Sequence, residues 1–278
     1  MPSYDTPKPI TAVVYCSIGT TRIIASDRTD TVVEVAPANP SAGADVKAAD
    51  QTKVTFSGGV LTVKGPRKNS PFGRVGGIDI TVALPAGSAL EATGEVSDFH
   101  CTGRLGETRL KTSVGDLQVE ETAAARLHGE LGMVRLGRAT ASAEIIAAGR
   151  VTVGTVNGGL TVKNGNGDTE LAEVTGALEV SASNGRIDVG IAHADVEARS
   201  ANGGIRLDRV VRGKVTLRGS TGDLEVGIPE TTAAWLDIHT KVGTLRSTLG
   251  SAEGPGDATD TVEVSARTSV GDIHIRRA

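Results

Sequence analysis

The side chains with chemistry to offer are five histidines, two cysteines and 33 carboxylates. His100, His128, His193, His239 and His274 stand far apart, and no HExxH or related spacing occurs. Neither Cys16 nor Cys101 has a further Cys or His at metal-ligand spacing, so a zinc centre is not indicated. Both cysteines read as small buried thiols in a chain long enough to need no covalent staple. Nucleophilic catalysis would require an activated Ser or Cys; no G-x-S-x-G elbow and no local base partner exists. Phosphate chemistry is equally unsupported: there is no P-loop, and no G-x-G-x-x-G opens a helix in a βαβ unit. No cofactor is expected.

The carboxylates make two patterns. Gly115-Asp116, Gly167-Asp168, Gly222-Asp223 and Gly271-Asp272 invite comparison with calcium-binding β-rolls. However, Arg150, Arg186, Gly204 and Thr244 interrupt the Asp column. Turn chemistry explains these dipeptides better, since Gly tolerates positive φ and Asp bonds neighbouring amides. The second pattern is an outward column of Glu179, Glu197, Thr216, Asp237 and Glu263. Two residues further along each strand comes Ser181, Arg199, Arg218, His239 and Ser265, a mostly basic column on the same face. Glu170, Asp188, Arg206, Glu225 and Arg246 alternate on the other face. Mutual neutralisation accounts for these columns more simply than a cation site.

These columns presuppose elements that hold them in register. From Leu160 onward, an apolar-x-apolar triplet recurs every nine residues and its two sets each step by 18. The first set begins at Leu160, Leu178 and Val196, the second at Thr169, Ile187 and Ile205. Backward, the second triplet returns at Val151, Val134, Leu117 and Phe99; forward, at Leu224, Leu245 and Ile273, with steps stretched to 19, 21 and 28. Alternation sends the outer two residues of each triplet to one face, and a single rung cannot bury them. Stacked parallel rungs can. A third apolar column, Val156, Val174, Ala192 and Val210, fits a corner or a short third side.

The pattern predicts an all-β chain, a parallel β-solenoid of about 18-residue rungs with an N-terminal β cap. Residues 1–88 would form the cap and 89–278 the repeats, as one continuous structural unit. Strands are expected at 10–15, 20–25, 31–36, 54–56, 60–63 and 78–84, with a brief helix at 42–50. Arg276 and Arg277 would make the C-terminal edge polar.

ASDRTDTVVEV at 25–35, VKNGNGDTEL at 162–171, TAAWLDIHTKVGTLR at 232–246 and RTSVGDIHIRRA at 267–278 resemble the DUF4097 family. Its members are actinobacterial β-strand-repeat, adhesin-like proteins. The resemblance covers essentially the whole chain, implies a repetitive β architecture and brings no catalytic residues to carry over.

Composition narrows the partners. A formal charge of −4 argues against a nucleic-acid binder. No stretch is apolar enough for a spanning helix, and the N-terminus lacks a secretory pattern, so membrane insertion is not expected and a cytoplasmic location is. The expected role is a non-catalytic scaffold, not an enzyme, that binds protein partners through a loop containing Arg67, Lys68, Phe72 and Arg74. The insertion at 247–260 is a second candidate loop. The alternative is a carbohydrate-binding or carbohydrate-active β-helix, which three or more acidic residues in a groove beside an exposed Trp235 would favour. With one Trp, two Tyr and three Phe, sugar-stacking equipment is thin. A hexapeptide-repeat acyltransferase fits an 18-residue coil but not the nine-residue triplet period.

Overall fold

The computed structural model describes every residue except Met1, 67–75, 251–253, 255 and 257. The chain divides into two compact units, Met1–Thr140 and Ala141–Ala278. Each is built mainly from stacked parallel strands, the β-solenoid arrangement that the repeat predicts.

The first unit contains β1 (Ser3–Asp5), β2 (Thr11–Ser26), β3 (Asp30–Pro37), α1 (Gly43–Gln51), β4 (Lys53–Ser57), β5 (Val60–Lys64) and β6 (Ile78–Pro85). It continues through β7 (Ala89–Val114), β8 (Leu117–Leu131) and β9 (Val134–Ala139). Residues 10–15 and 20–25, expected as separate strands, run together in β2. Gly19 permits this: its φ of +133° turns a corner without ending the strand, where a Cβ would lie 1.9 Å from the Ile78 carbonyl oxygen.

One edge of β2 pairs in parallel with β5 over its first half and β6 over its second. Its other edge pairs in parallel with β7. The first rung in sequence is therefore the second in space. The outer edge of β5 and β6 is then closed by antiparallel strands, β4 on β5 and β3 on β6, with β1 on β3. Tyr4 and Phe56 bring β1 and β4 together with ring centroids 5.1 Å apart. Helix α1 is tied in by Asp45, which accepts the Gly77 N–H at 2.9 Å.

The second unit follows the 18-residue step with two strands per rung. On one side lie β10 (Ala143–Ala147), β12 (Leu160–Asn166), β14 (Leu178–Asn184), β16 (Val196–Asn202) and β18 (Gly213–Thr221). On the other lie β11 (Val151–Val156), β13 (Thr169–Val174), β15 (Ile187–Ala192), β17 (Ile205–Val210) and β19 (Leu224–Ile228). Leu160 sits over Leu178 and that over Val196; Thr169, Ile187 and Ile205 stack likewise. Val156, Val174, Ala192 and Val210 form the expected third column, fully buried and in register.

The last elements depart from sequential order. Strands β20 (Thr232–Val242) and β21 (Leu245–Ser247) come next in sequence, followed by β22 (Asp260–Val270) and β23 (Ile273–Arg277). Yet β22 pairs in parallel with both β18 and β20, and β23 with both β19 and β21. The final rung slots in beneath the one that precedes it. This explains the 28-residue step, because residues 248–259 must carry the chain back across a rung.

Two expectations are corrected by this insertion. Val264, not Val262, stacks on Val215, so the triplet of β22 shifts by two residues. The error kept the right face because side-chain alternation has period two. In addition, β23 is not an outer strand: β21 covers it over Ile273–Ile275, and Arg276 and Arg277 lie beyond that pairing. Arg276 binds Glu225 at 2.6 Å and Asp208 at 3.1 Å, and Arg277 donates to the Pro229 and Thr232 carbonyls. They clamp the inserted rung in place, and β20 and β21 form the outer edge instead.

Candidate functional site

The Gly-Asp corners resolve into two ladders. Gly185, Gly203, Gly222, Gly271 and Gly243 all have positive φ, and a Cβ on each of the last four would meet the preceding glycine's carbonyl oxygen at 2.0–2.5 Å. Beside them, each Asp carboxylate accepts the backbone N–H at the same position of the next rung. Asp98 accepts from Asp116, and Asp116 from Met133, both at 2.8 Å. Asp168 accepts from Arg186, Asp223 from Asp272, and Asp272 from Thr244. The carboxylates are thus occupied by amides. The amide of Thr244 holds the Asp272 carboxyl below the usual carboxylate range. The glycine ladder runs 222, 271, 243 and the carboxylate ladder 223, 272, 244, both in the spatial and not the sequential order of rungs.

The histidines and cysteines are dispersed. His193 lies in a turn with Nε2 2.9 Å from Glu173; the other four occupy β7, β8, β20 and β23. Among the described residues, no group of three or more His, Cys, Asp or Glu side chains could hold a metal ion. Cys16 and Cys101 are free and buried. Burial pushes the Cys101 thiol up to about 12 and also raises that of Cys16, whose Sγ donates to the Ile78 carbonyl at 3.7 Å. Asp188 is likewise raised by burial, against the pull of Arg186 and Arg206.

What remains is the outward face of β16, β18, β22 and β20. Register sets its rows across the strands: Glu197, Thr216, Ser265 and Asp237 in one, Arg199, Arg218, Arg267 and His239 in the next. Arg267 replaces the expected Ser265 in the basic row, a consequence of the two-residue shift in β22. Arg199 pairs with Glu197, and Arg267 with Asp237 at 2.8 Å. Exposed Arg218, between them, has no carboxylate partner within ion-pair distance among the described residues.

A shallow groove of about 740 Å³ crosses this face, lined by Lys214, Arg218, Trp235, Asp237, His239 and Arg267 among others. A second hollow, of about 890 Å³, lies on the other flank of Trp235. The indole is 63% exposed and belongs to both. The first groove holds two acidic residues and not three, and each is paired: Asp237 with Arg267, and Glu263 with Lys214 at 3.3 Å. The condition that would have favoured a carbohydrate-active site is met only in the exposure of Trp235.

The expected contact residues Arg67, Lys68, Phe72 and Arg74 lie outside the described residues. The second loop, between β21 and β22, serves as the return path of the inserted rung. The basic row was readable in the sequence for Arg199, Arg218 and His239. Arg267 was missed because sequence spacing alone does not show that β22 enters between β18 and β20.

The family model of Toastrack DUF4097 matches residues 19–276. This chain belongs to the DUF4097, or Toastrack, family. No curated protein matches the sequence. Similar solved structures include a candidate adhesin from Bacteroides fragilis NCTC 9343, 14% identical with a TM-score of 0.37, covering 99% of this chain and 95% of that one. A candidate adhesin from Parabacteroides distasonis ATCC 8503 is 11% identical with a TM-score of 0.31, covering 100% and 95%. A candidate cell-adhesion protein from Clostridium sporogenes ATCC 15579 is 11% identical with a TM-score of 0.22, covering 100% and 98%. Superpositions this loose carry no argument about the role of this Toastrack chain.

Proposed function

We propose that this Toastrack protein is a non-catalytic scaffold that binds a protein partner through the face of β16, β18, β22 and β20. The supporting observation is the division of labour among its polar groups. Corner carboxylates are spent on rung-to-rung amides, which leaves the outward rows as the displayed chemistry. On that face the basic row is incompletely neutralised at Arg218 and is flanked by an exposed indole. A row of guanidinium groups at strand spacing, about 4.8 Å apart, matches an acidic segment of a partner.

The test is affinity capture from native lysate with the wild type and with Arg218→Glu/Arg267→Glu, read by mass spectrometry. Both positions are exposed, so the melting temperature should not move. Partners retained by the wild type and lost by the double variant support the reading; an identical set on both refutes it.

A further inference from the structure

The outer edge of β20 is bare. Among the described residues its ladder partner is β22 alone. The Thr231 carbonyl accepts the Thr259 N–H on the β22 side, and the ladder is unbroken from Thr232 to Thr240, so by strand alternation Leu236, Ile238 and Thr240 turn their backbone N–H and C=O groups to the free edge. The same edge carries exposed apolar surface, with Trp235 and Val242 each 63% exposed and Leu236 and Ile238 half-buried. A flat edge of this kind is a template for another strand.

The order of side chains along β20 says which strand fits. Outward residues read Trp235, Asp237, His239, Lys241; inward residues read Ala234, Leu236, Ile238, Thr240. Set antiparallel to a copy of itself about Ile238, the outward series becomes its own complement. Asp237 faces His239 of the copy, and Trp235 faces Lys241, each twice by symmetry. One is an acid-base pair and the other a cation–π contact. Inward, Ile238 meets Ile238, and Leu236 meets Thr240. Every position has a compatible partner, and no like charges oppose. Centring on Asp237 would oppose two carboxylates; centring on His239 would set Lys241 against Asp237 but leave Trp235 opposite Gly243 and His239 opposite itself.

We propose that the chain forms a two-fold homodimer by antiparallel pairing of β20 with β20 of a second copy, centred on Ile238. This is an isologous contact, so one complementary patch supplies both sides. It shares His239 and Trp235 with the acidic-partner face, but Arg218, on which that reading turns, takes no part, so the Arg218→Glu/Arg267→Glu variant tests that reading separately.

Sedimentation velocity across a loading series tests it. The wild type should dimerise with rising concentration. Asp237→Lys replaces the acceptor that faces His239 with a second donor, and His239→Asp opposes two anions; each should weaken association at least tenfold. The double variant, Asp237→Lys/His239→Asp, re-creates the pair with its signs exchanged and should regain the dimer. A register-specific check is Ile238→Cys, which should form an intermolecular disulfide on mild oxidation, while Leu236→Cys, facing Thr240 of the copy, should not. A wild type that stays monomeric throughout, as expected if a foreign strand covers this edge, overturns the proposal. So does a dimer that is indifferent to the single charge changes, or a double variant that stays folded without regaining association.

Discussion

Two stack edges in this molecule are finished in different ways. In the first unit, the rung of β5 and β6 is covered by antiparallel β4, β3 and β1 and by α1. In the second, no strand among the described residues covers the rung of β20 and β21, and Trp235, Val242 and Leu245 are between 48% and 63% exposed. Both units nevertheless place a terminal rung out of order. β2 is sandwiched between β6 and β7, and β22 between β18 and β20. The rung nearest each chain end is thereby locked inside a stack, although β1 itself joins the cover of the first unit. An edge thus has two fates here, and the sequence must encode a return strand to close one.

The sharpest way to break this comparison is to place the same lesion in an inner rung and in the bare one. Gly203 and Gly243 have φ of +142° and +149°, and a Cβ on either would lie 2.0 or 2.1 Å from the carbonyl oxygen below. Gly203→Ala cannot relieve that clash without parting rungs on both sides, and should cost about 3–5 kcal/mol in urea unfolding. Gly243→Ala can let the outer rung lift, and should cost less than half as much. Equal losses would show that β20 and β21 are held as firmly as the interior.

A second contrast concerns the covers themselves. Val33 on β3 is fully buried, so Val33→Ala should lower stability by about 1.5–3 kcal/mol. Leu245→Ala, at a side chain 48% exposed, should cost under about 1 kcal/mol in the same titration. Matching values would remove the distinction between a closed edge and an open one.

Much of this architecture was legible in advance. Apolar triplets at 18-residue steps give the rungs because alternation and stacking are both local consequences of strand geometry. The corners followed from Gly and Asp for the same reason. What stayed hidden is order. Nothing in the spacing of Val262 to Ile275 says which rungs they separate, since parallel strands of similar composition accept one another in any sequence. The stretched 28-residue step was the visible trace of the insertion, but length alone does not give direction. The outward face was placed correctly by parity, and its row at β22 was misread by two residues, exchanging Arg267 for Ser265. That exchange matters, because it puts arginine next to Arg218 where neutral serine was expected.

The buried interior of the first unit offers a pH test of closure. Cys101 on β7 keeps its proton up to about 12 because burial disfavours the thiolate. The folded value stands above the unfolded one of roughly 8.5, so the unfolded chain loses a proton that the native chain retains. Stability from this group is complete below the unfolded value and declines as pH rises toward 12. The slope is about 1.4 kcal/mol per pH unit, or roughly 2 kcal/mol between pH 8.5 and 10. Cys101→Ala should begin less stable yet lose about 2 kcal/mol less over that interval. Parallel alkaline decline in both proteins would mean that water reaches the thiol in the native state.

The smallest effect expected is at the bare rung, where one carboxylate ends the ladder. Asp272 accepts the Thr244 N–H at 2.8 Å, and that amide lowers its pKa. The folded value lies below the unfolded one, so the contribution is full above the unfolded carboxylate value. It is lost as pH falls through the depressed folded value. Protonation removes an acceptor from the outermost rung, which has no further rung above it to hold Thr244 in place. Acid should therefore speed hydrogen exchange at the Thr244 amide, once the intrinsic pH dependence is divided out. Asp272→Asn keeps an oxygen at the same position but has no proton to gain, so its corrected rate should be flat through the same range. If variant and wild type loosen together in acid, the rung is held by strand pairing with β23 and the ladder contributes nothing at its end.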